Sequence, residues 1–195
     1  QIPSPSPGVG GACLTKDPYF LGVAAEAVGY EPGLPAASRE VNESTIDYVA
    51  AKVERFLDEH VDGGGTVFML GMAFKGEPET SDIRRSPSVE FADLLGKSVD
   101  ELIVYDPVVE PERLEASDRT VVDSPEAGFA GADCVMLMTN HRSFERLNIH
   151  NLATEMSDPS LLFDPWAILY SEEITSLSNV TYDRFSGERS FTSTY

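Results

Sequence analysis

The chain has 195 residues, with 33 acidic against 14 basic side chains and a formal net charge of -19. That balance excludes nucleic acid and anionic membrane surfaces as natural partners, because a strongly negative protein is repelled by both. Hydrophobic content is nevertheless 42%, the composition of a folded protein with an acidic shell rather than of a disordered acidic tail. No apolar run reaches the length of a membrane span, and Gln1-Ile2-Pro3-Ser4 has no basic region, apolar core or cleavage pattern, so a cytoplasmic protein is expected.

In chain order, residues 1–12 read as Pro/Ser/Gly coil leading into Gly8 to Leu21, GVGGACLTKDPYFL. Gly8, Gly10 and Gly11 permit backbone angles closed to other residues and leave room for a ligand beside the amides. Asp17-Pro18 reads as an N-cap followed by proline at the first helical position, with Tyr19, Phe20, Val23, Ala24 and Ala27 behind it and Gly29 as the stop. Cys13 then lies just before a helix N-terminus, where the dipole and Lys16 both favour a thiolate. On residue types alone two readings stay open. Cys13 is a reactive thiol or a small inert one, Asp17 is a catalytic group or only a cap, and the glycines are a cradle or a turn.

Gly29 to Pro35 is expected to turn, and Ala36 to about His60 carries the longest helical pattern. Val41, Thr45, Val49, Val53 and Phe56 form its stripe, and Arg39, Glu43, Asp47, Lys52, Glu54 and Arg55 lie mostly off it. About 24 residues at 1.5 Å each would span roughly 36 Å, longer than a small domain needs. After Asp62-Gly63-Gly64-Gly65 the period changes. Apolar strands are expected at 66–70, 102–105, 120–122, 133–138, 161–164 and 180–182, with helices at 87–95, 124–130 and 142–147 between them. This alternation predicts an α/β fold with a doubly wound, mostly parallel sheet. The expected units are 1–62, 63–185 and a flexible tail at 186–195. Cys134 belongs to the buried run Cys134-Val135-Met136-Leu137-Met138 and is expected to be inert, and no disulfide framework is suggested.

The segment Gly8-x-Gly10-Gly11-x-Cys13-x-x-Lys16-Asp17 resembles the catalytic loop of the UDP-glucose/GDP-mannose dehydrogenase family, the nucleotide-sugar 6-dehydrogenases. Its continuation Asp17-Pro18-Tyr19-Phe20-Leu21 is more similar to the branch that oxidises UDP-N-acetylhexosamines, UDP-N-acetylmannosamine above all. Further along, Ser38-Arg39-Glu40-Val41-Asn42 resembles the R-x-x-N segment of the family's central helix, Gly71-Met72-Ala73-Phe74-Lys75 its G-x-x-F-K signature, and Asp82-Ile83-Arg84-Arg85-Ser86-Pro87 its D-x-R-x-S-P motif. Two departures stand out: Ala12 where that branch usually carries His, and Pro165-Trp166 where the family often places an arginine after the aspartate.

The resemblance implies a Rossmann-like UDP-binding domain preceded by a long dimerisation helix, the chain corresponding to the C-terminal part of the family architecture. It implies a twofold NAD-dependent oxidation of the sugar C6 alcohol to a carboxylate. In that scheme Cys13 traps the aldehyde as a thiohemiacetal and then holds a thioester, Asp17 orients the hydrolytic water, and Lys16 stabilises negative charge. The backbone of Gly8, Val9, Gly10 and Gly11, the pair Phe74 and Lys75, and Arg39 with Asn42 would meet the UDP-sugar, while Arg84, oriented by Asp82, would reach NAD held by a preceding domain. No metal is implied, and a homodimer through the central helix is. The alternative is a non-catalytic nucleotide-sugar-binding or dimerising remnant, or a UDP-glucose or GDP-mannose 6-dehydrogenase. The acidic surface resembles that of proteins from salt-loving organisms, in which ionic strength screens self-repulsion.

Overall fold

A computed structural model describes residues 6–185. The expected tail at 186–195 lies outside the described residues. Two helices come first, α1 (Asp17–Glu26) and α2 (Gly33–His60). Helix α1 starts one residue earlier than expected: Lys16 occupies the N-cap position, Asp17 makes no capping hydrogen bond, and no residue of the helix is buried. Helix α2 begins inside the segment expected to turn, because Pro35 falls in the first turn, where its missing N–H costs nothing. Its apolar stripe is only half used. Val49, Ala50, Val53, Phe56 and Leu57 are buried, whereas Val41 is 69% exposed. Arg39, expected off the stripe, is buried instead, for a reason that lies in the loop it holds.

The sheet follows: β1 (Thr66–Leu70), α3 (Pro87–Leu95), β2 (Glu101–Tyr105), β3 (Thr120–Val121), α4 (Pro125–Phe129), β4 (Cys134–Leu137), α5 (Ile149–Thr154), β5 (Ser160–Phe163), α6 (Ser171–Thr175) and β6 (Val180–Asp183). The six strands run in the order β3-β2-β1-β4-β5-β6, with every neighbouring pair parallel. Such a sheet needs both faces covered, and alternate residues of β1 show how. Val67 and Met69 join a core with α2 and α3 through Val53, Phe56, Phe91 and Leu95. Phe68 and Leu70 join the opposite core with Phe129, Leu152 and Ile174. Gly128 has no room for a side chain, since an added Cβ would lie 2.3 Å from the Phe68 ring, and this lets α4 sit directly on β1.

The segment 142–147, expected to be helical, is a short 3-10 turn at Phe144–Arg146, and the true helix α5 comes later, capped by Asn148 through the Asn151 amide at 3.4 Å. Helix α6 was not signalled. No helix among the described residues is long and apolar enough to cross a membrane. Cys134 is buried, and burial pushes its thiol far up. Trp166 is half-buried, with its Nε1 shielded and without a hydrogen-bond partner.

Candidate functional site

In a doubly wound sheet the carboxyl ends of the strands meet at the point where the strand order reverses, here between β1 and β4. The segment leaving β1 turns at Gly71, whose φ is +95° and whose added Cβ would lie 2.0 Å from the Thr139 hydroxyl. Only glycine fits there. One buried carboxylate then organises the exit. Asp106, just past β2, accepts from the Met72 and Ala73 amides at 2.7 and 2.9 Å through Oδ2, and from the Val108 and Val109 amides at 2.9 and 3.0 Å through Oδ1. Burial alone would raise its pKa; the nearby His141 ring and the amides of Val108, Ala73 and Met72 outweigh burial and hold it below the usual value. Phe74 and Lys75 follow at once, both half-buried, with the Lys75 ammonium 5.4 Å from the Phe74 ring centroid.

The cysteine loop lies against the next segment of the same connection. The Gly11 amide donates to the Arg85 carbonyl at 3.0 Å, and a Cβ on Gly10 would lie 2.2 Å from that same oxygen. A Cβ on Gly8 would approach Pro87 at 3.1 Å, and one on Gly11 would approach the Phe74 ring at 3.0 Å. The loop therefore packs closely on the D-x-R-x-S-P segment at each of these glycines. Arg85 meets the loop in a left-handed conformation, φ +53°, that a non-glycine residue adopts at some cost.

On its other side the loop is fastened to α2. Asn42 receives the Val9 amide at 2.7 Å and donates to the Val9 carbonyl at 3.1 Å, and Arg39 donates to the same carbonyl at 3.2 Å and pairs with Glu43 at 3.0 Å. This is why Arg39 is buried. Its Nε is shielded without a partner. Both residues hold the loop in the described structure.

Cys13 is exposed, and its carbonyl accepts from the Lys16 and Asp17 amides at 3.0 and 2.9 Å. Asp17 pairs with the Lys16 ammonium at 2.6 Å. That hydrogen bond raises the Lys16 pKa, with the charge of Asp17 and then of Cys13 adding to it. Arg84 is gripped by Asp82 through its Nε and NH2 groups at 2.7 to 3.1 Å. The grip lowers Asp82 to about 2 and raises Arg84, to which Cys13 also contributes. Thus Cys13 lies within electrostatic reach of both cations. Lys16, Arg39, Arg84 and Arg85, with Ala12, Thr15, Glu43 and Glu90, line one cleft of about 750 Å³. Three of the four cations, Lys16, Arg39 and Arg84, are paired with Asp17, Glu43 and Asp82, and Arg85 has no ion pair among the described residues. Lys75 and Phe74 lie outside that lining, although the Phe74 ring touches Gly11. Sequence reasoning missed Asp106 and His141, whose importance depends on loops far apart in the chain.

Comparisons with known proteins identify the family of the chain. Residues 68–171 match the UDP binding domain of the UDP-glucose/GDP-mannose dehydrogenase family, and residues 1–44 match its central domain. UDP-N-acetyl-D-mannosamine dehydrogenase of Pyrococcus horikoshii is 32% identical over 158 residues, 80% of this chain and 34% of the relative. UDP-glucose 6-dehydrogenase AglM of Haloferax volcanii is 36% identical over 146 residues, 72% of this chain and 32% of the relative. The solved structure of the UDP-D-ManNAc dehydrogenase of Pyrococcus horikoshii superposes with a TM-score of 0.77 at 28% identity, covering 94% of this chain and 40% of that one. The chain thus spans about a third of the length of the curated relatives it matches. Strands β2 to β5 and most of β1, the Phe74-Lys75 exit and the docked cysteine loop fall within the two matched segments, with β6 lying beyond them, and the chain belongs to the UDP-glucose/GDP-mannose dehydrogenase family.

Proposed function

We propose that the chain carries the nucleophile and the UDP-binding part of an NAD-dependent UDP-N-acetylhexosamine 6-dehydrogenase, of the type that acts on UDP-N-acetylmannosamine. The observation that carries this reading is the Gly11 to Arg85 hydrogen bond, which docks the exposed Cys13 loop beside a cleft lined by four cations. Residues 1–62 would supply the cysteine loop and a dimerising helical arm, and residues 63–185 the UDP-binding unit. The apolar surface on α1 and the first half of α2 supports a homodimer through this arm.

Within the site, Lys75 would offer a point charge to the diphosphate or a sugar oxygen and Phe74 an apolar wall. Gly8, Val9, Gly10 and Gly11 would present the loop's backbone surface, with Arg39 and Asn42 keeping Val9 in place. For NAD, the described residues fit a contact rather than a whole site. Residues 71–86 separate β1 from α3, so no tight glycine turn runs straight from strand into helix, and Arg84 is the exposed group available. When bound, NAD would accept the hydrides removed from the sugar C6. The Cys13 sulfur adds to the C6 aldehyde carbon and the carbonyl oxygen takes up a proton, giving a thiohemiacetal. Loss of a hydride from C6 and of the hydroxyl proton to solvent leaves a thioester. Water, giving up its protons to solvent, then attacks the carbonyl carbon and breaks the C–S bond, so that the carboxylate forms and sulfur departs as thiolate. Lys16 would stabilise the oxyanion of this step, and Asp17 would orient the water.

A second reading, oxidation of UDP-glucose, is favoured by the 36% identity to the Haloferax volcanii relative. The intact gene product should reduce NAD with UDP-N-acetylmannosamine in preference to UDP-glucose, and Cys13→Ser should abolish turnover with either. Preference for UDP-glucose would select the second reading. Full activity of the serine variant would overturn both.

A further inference from the structure

His141 is fully buried, and neither ring nitrogen has a hydrogen-bond partner. Each nitrogen instead faces a carboxylate on a different loop: Nε2 lies 3.5 Å from Asp106 Oδ2, and Nδ1 lies 3.5 Å from Glu79 Oε1. The edge of the Phe144 ring system closes a third side, with centroids 5.3 Å apart. The facing Asp106 oxygen is the one that receives the Met72 and Ala73 amides. On the far side of Lys75, the Gly76 amide donates to Asn140 at 3.2 Å, and an added Gly76 Cβ would lie 2.4 Å from the His141 nitrogen of the backbone. Glu77 completes the seam by pairing with Arg142 at 2.9 Å. Phe74 and Lys75 are therefore the two residues between a tie at Ala73, which leads to Asp106 past β2, and a tie at Gly76, which leads to Asn140 past β4, and His141 lies beside both anchors.

We propose that His141 is a positioning residue for nucleotide-sugar binding, acting through Asp106 to hold the β1 exit so that Phe74 and Lys75 meet the ligand. The inference rests on the UDP-binding reading above. Both Asp106 oxygens already accept two amides each, so His141 acts by filling the buried space beside Oδ2; emptying that space leaves the carboxylate room to rotate away from the Met72 and Ala73 amides.

The two amide substitutions at this position separate the two contacts, since Gln carries its nitrogen near the place of Nε2 and Asn near that of Nδ1. UDP is titrated into the 195-residue chain by calorimetry. His141→Asn, which leaves the space beside Asp106 Oδ2 empty, is expected to bind UDP about tenfold more weakly. His141→Gln, which fills that space, is expected to stay within about twofold. A role confined to folding would lower the melting temperatures of both variants and leave their affinities unsplit. Equal UDP affinity in wild type and His141→Asn overturns the inference while leaving the UDP-binding reading intact, whereas no UDP binding by the wild type overturns both. Should His141→Asn fail to fold, Asn140→Ala removes the Gly76 tie from the other side of Lys75. Weaker UDP binding by that variant supports the seam, and unchanged binding overturns it.

Discussion

In the arm before residue 61, α1 buries nothing and the first half of α2 shows Leu34, Val41 and Tyr48 to solvent; in the sheet unit every residue of β4 and β5 is buried. Among the described residues, all the exposed large hydrophobic residues except Leu94 and Tyr170 lie before residue 49. The sheet unit completes its own core on two faces, whereas the arm carries apolar surface that the other described residues leave open. The two regions therefore teach different things about the same composition: hydrophobic residues close the core of the sheet unit, and in the arm they remain at the surface.

The largest expected effect tests the first half of that contrast. Phe68→Ala empties a site closed by Phe129 at 5.7 Å between ring centroids and by Gly128. It should cost about 3–5 kcal/mol in denaturant unfolding followed by circular dichroism. A loss below about 1 kcal/mol would break the contrast, since such values belong to surface positions. A smaller effect tests the arm. Leu21 is 57% exposed, so Leu21→Ser should change unfolding by no more than about 0.5 kcal/mol, while light scattering should show a lower molar mass if this face joins two copies. A large unfolding cost there would mean that the arm packs on its own chain. The smallest effect sharpens the seam between the regions. Arg84→Ala should return the Asp82 carboxyl from about 2 toward its ordinary 3.8, read by carbon NMR titration. The sign is fixed by the lowered folded value: the pair contributes above about pH 3.8 and its contribution fades as pH falls through about 2.

The central strands were legible because β1, β2, β4 and β5 are short runs buried mostly on both faces, and the edges of the strands shifted by about a residue. Helix α3 was legible for a local reason as well, the Ser86-Pro87 start, where the Ser86 hydroxyl accepts the Ser88 amide at 3.2 Å. Helices α5 and α6 are too short to display a period, so 142–147 attracted the assignment that belongs to 149–154. Asp17 misled in another way. Its side chain is drawn to Lys16, and a cap needs the oxygen to stay with the backbone. The candidate residues were found through motif, but their tasks were not: nothing local says that Gly10 is glycine because of the Arg85 carbonyl, or that Arg39 is spent on Val9. Such pairings join positions 30 to 75 residues apart and appear only when the chain is folded.

The cysteine loop is held at two points a single residue apart. Val9 belongs to α2 through Asn42 and Arg39, and Gly11 belongs to the sheet through the Arg85 carbonyl. Gly10 is the whole span between the two anchorages. Any rotation of the arm over the sheet must be absorbed at that one residue, and any insertion there would slide the thiol along the cleft by a full residue. The spacing from Val9 to Cys13 thus behaves as a ruler, setting how far the sulfur stands from both halves of the molecule.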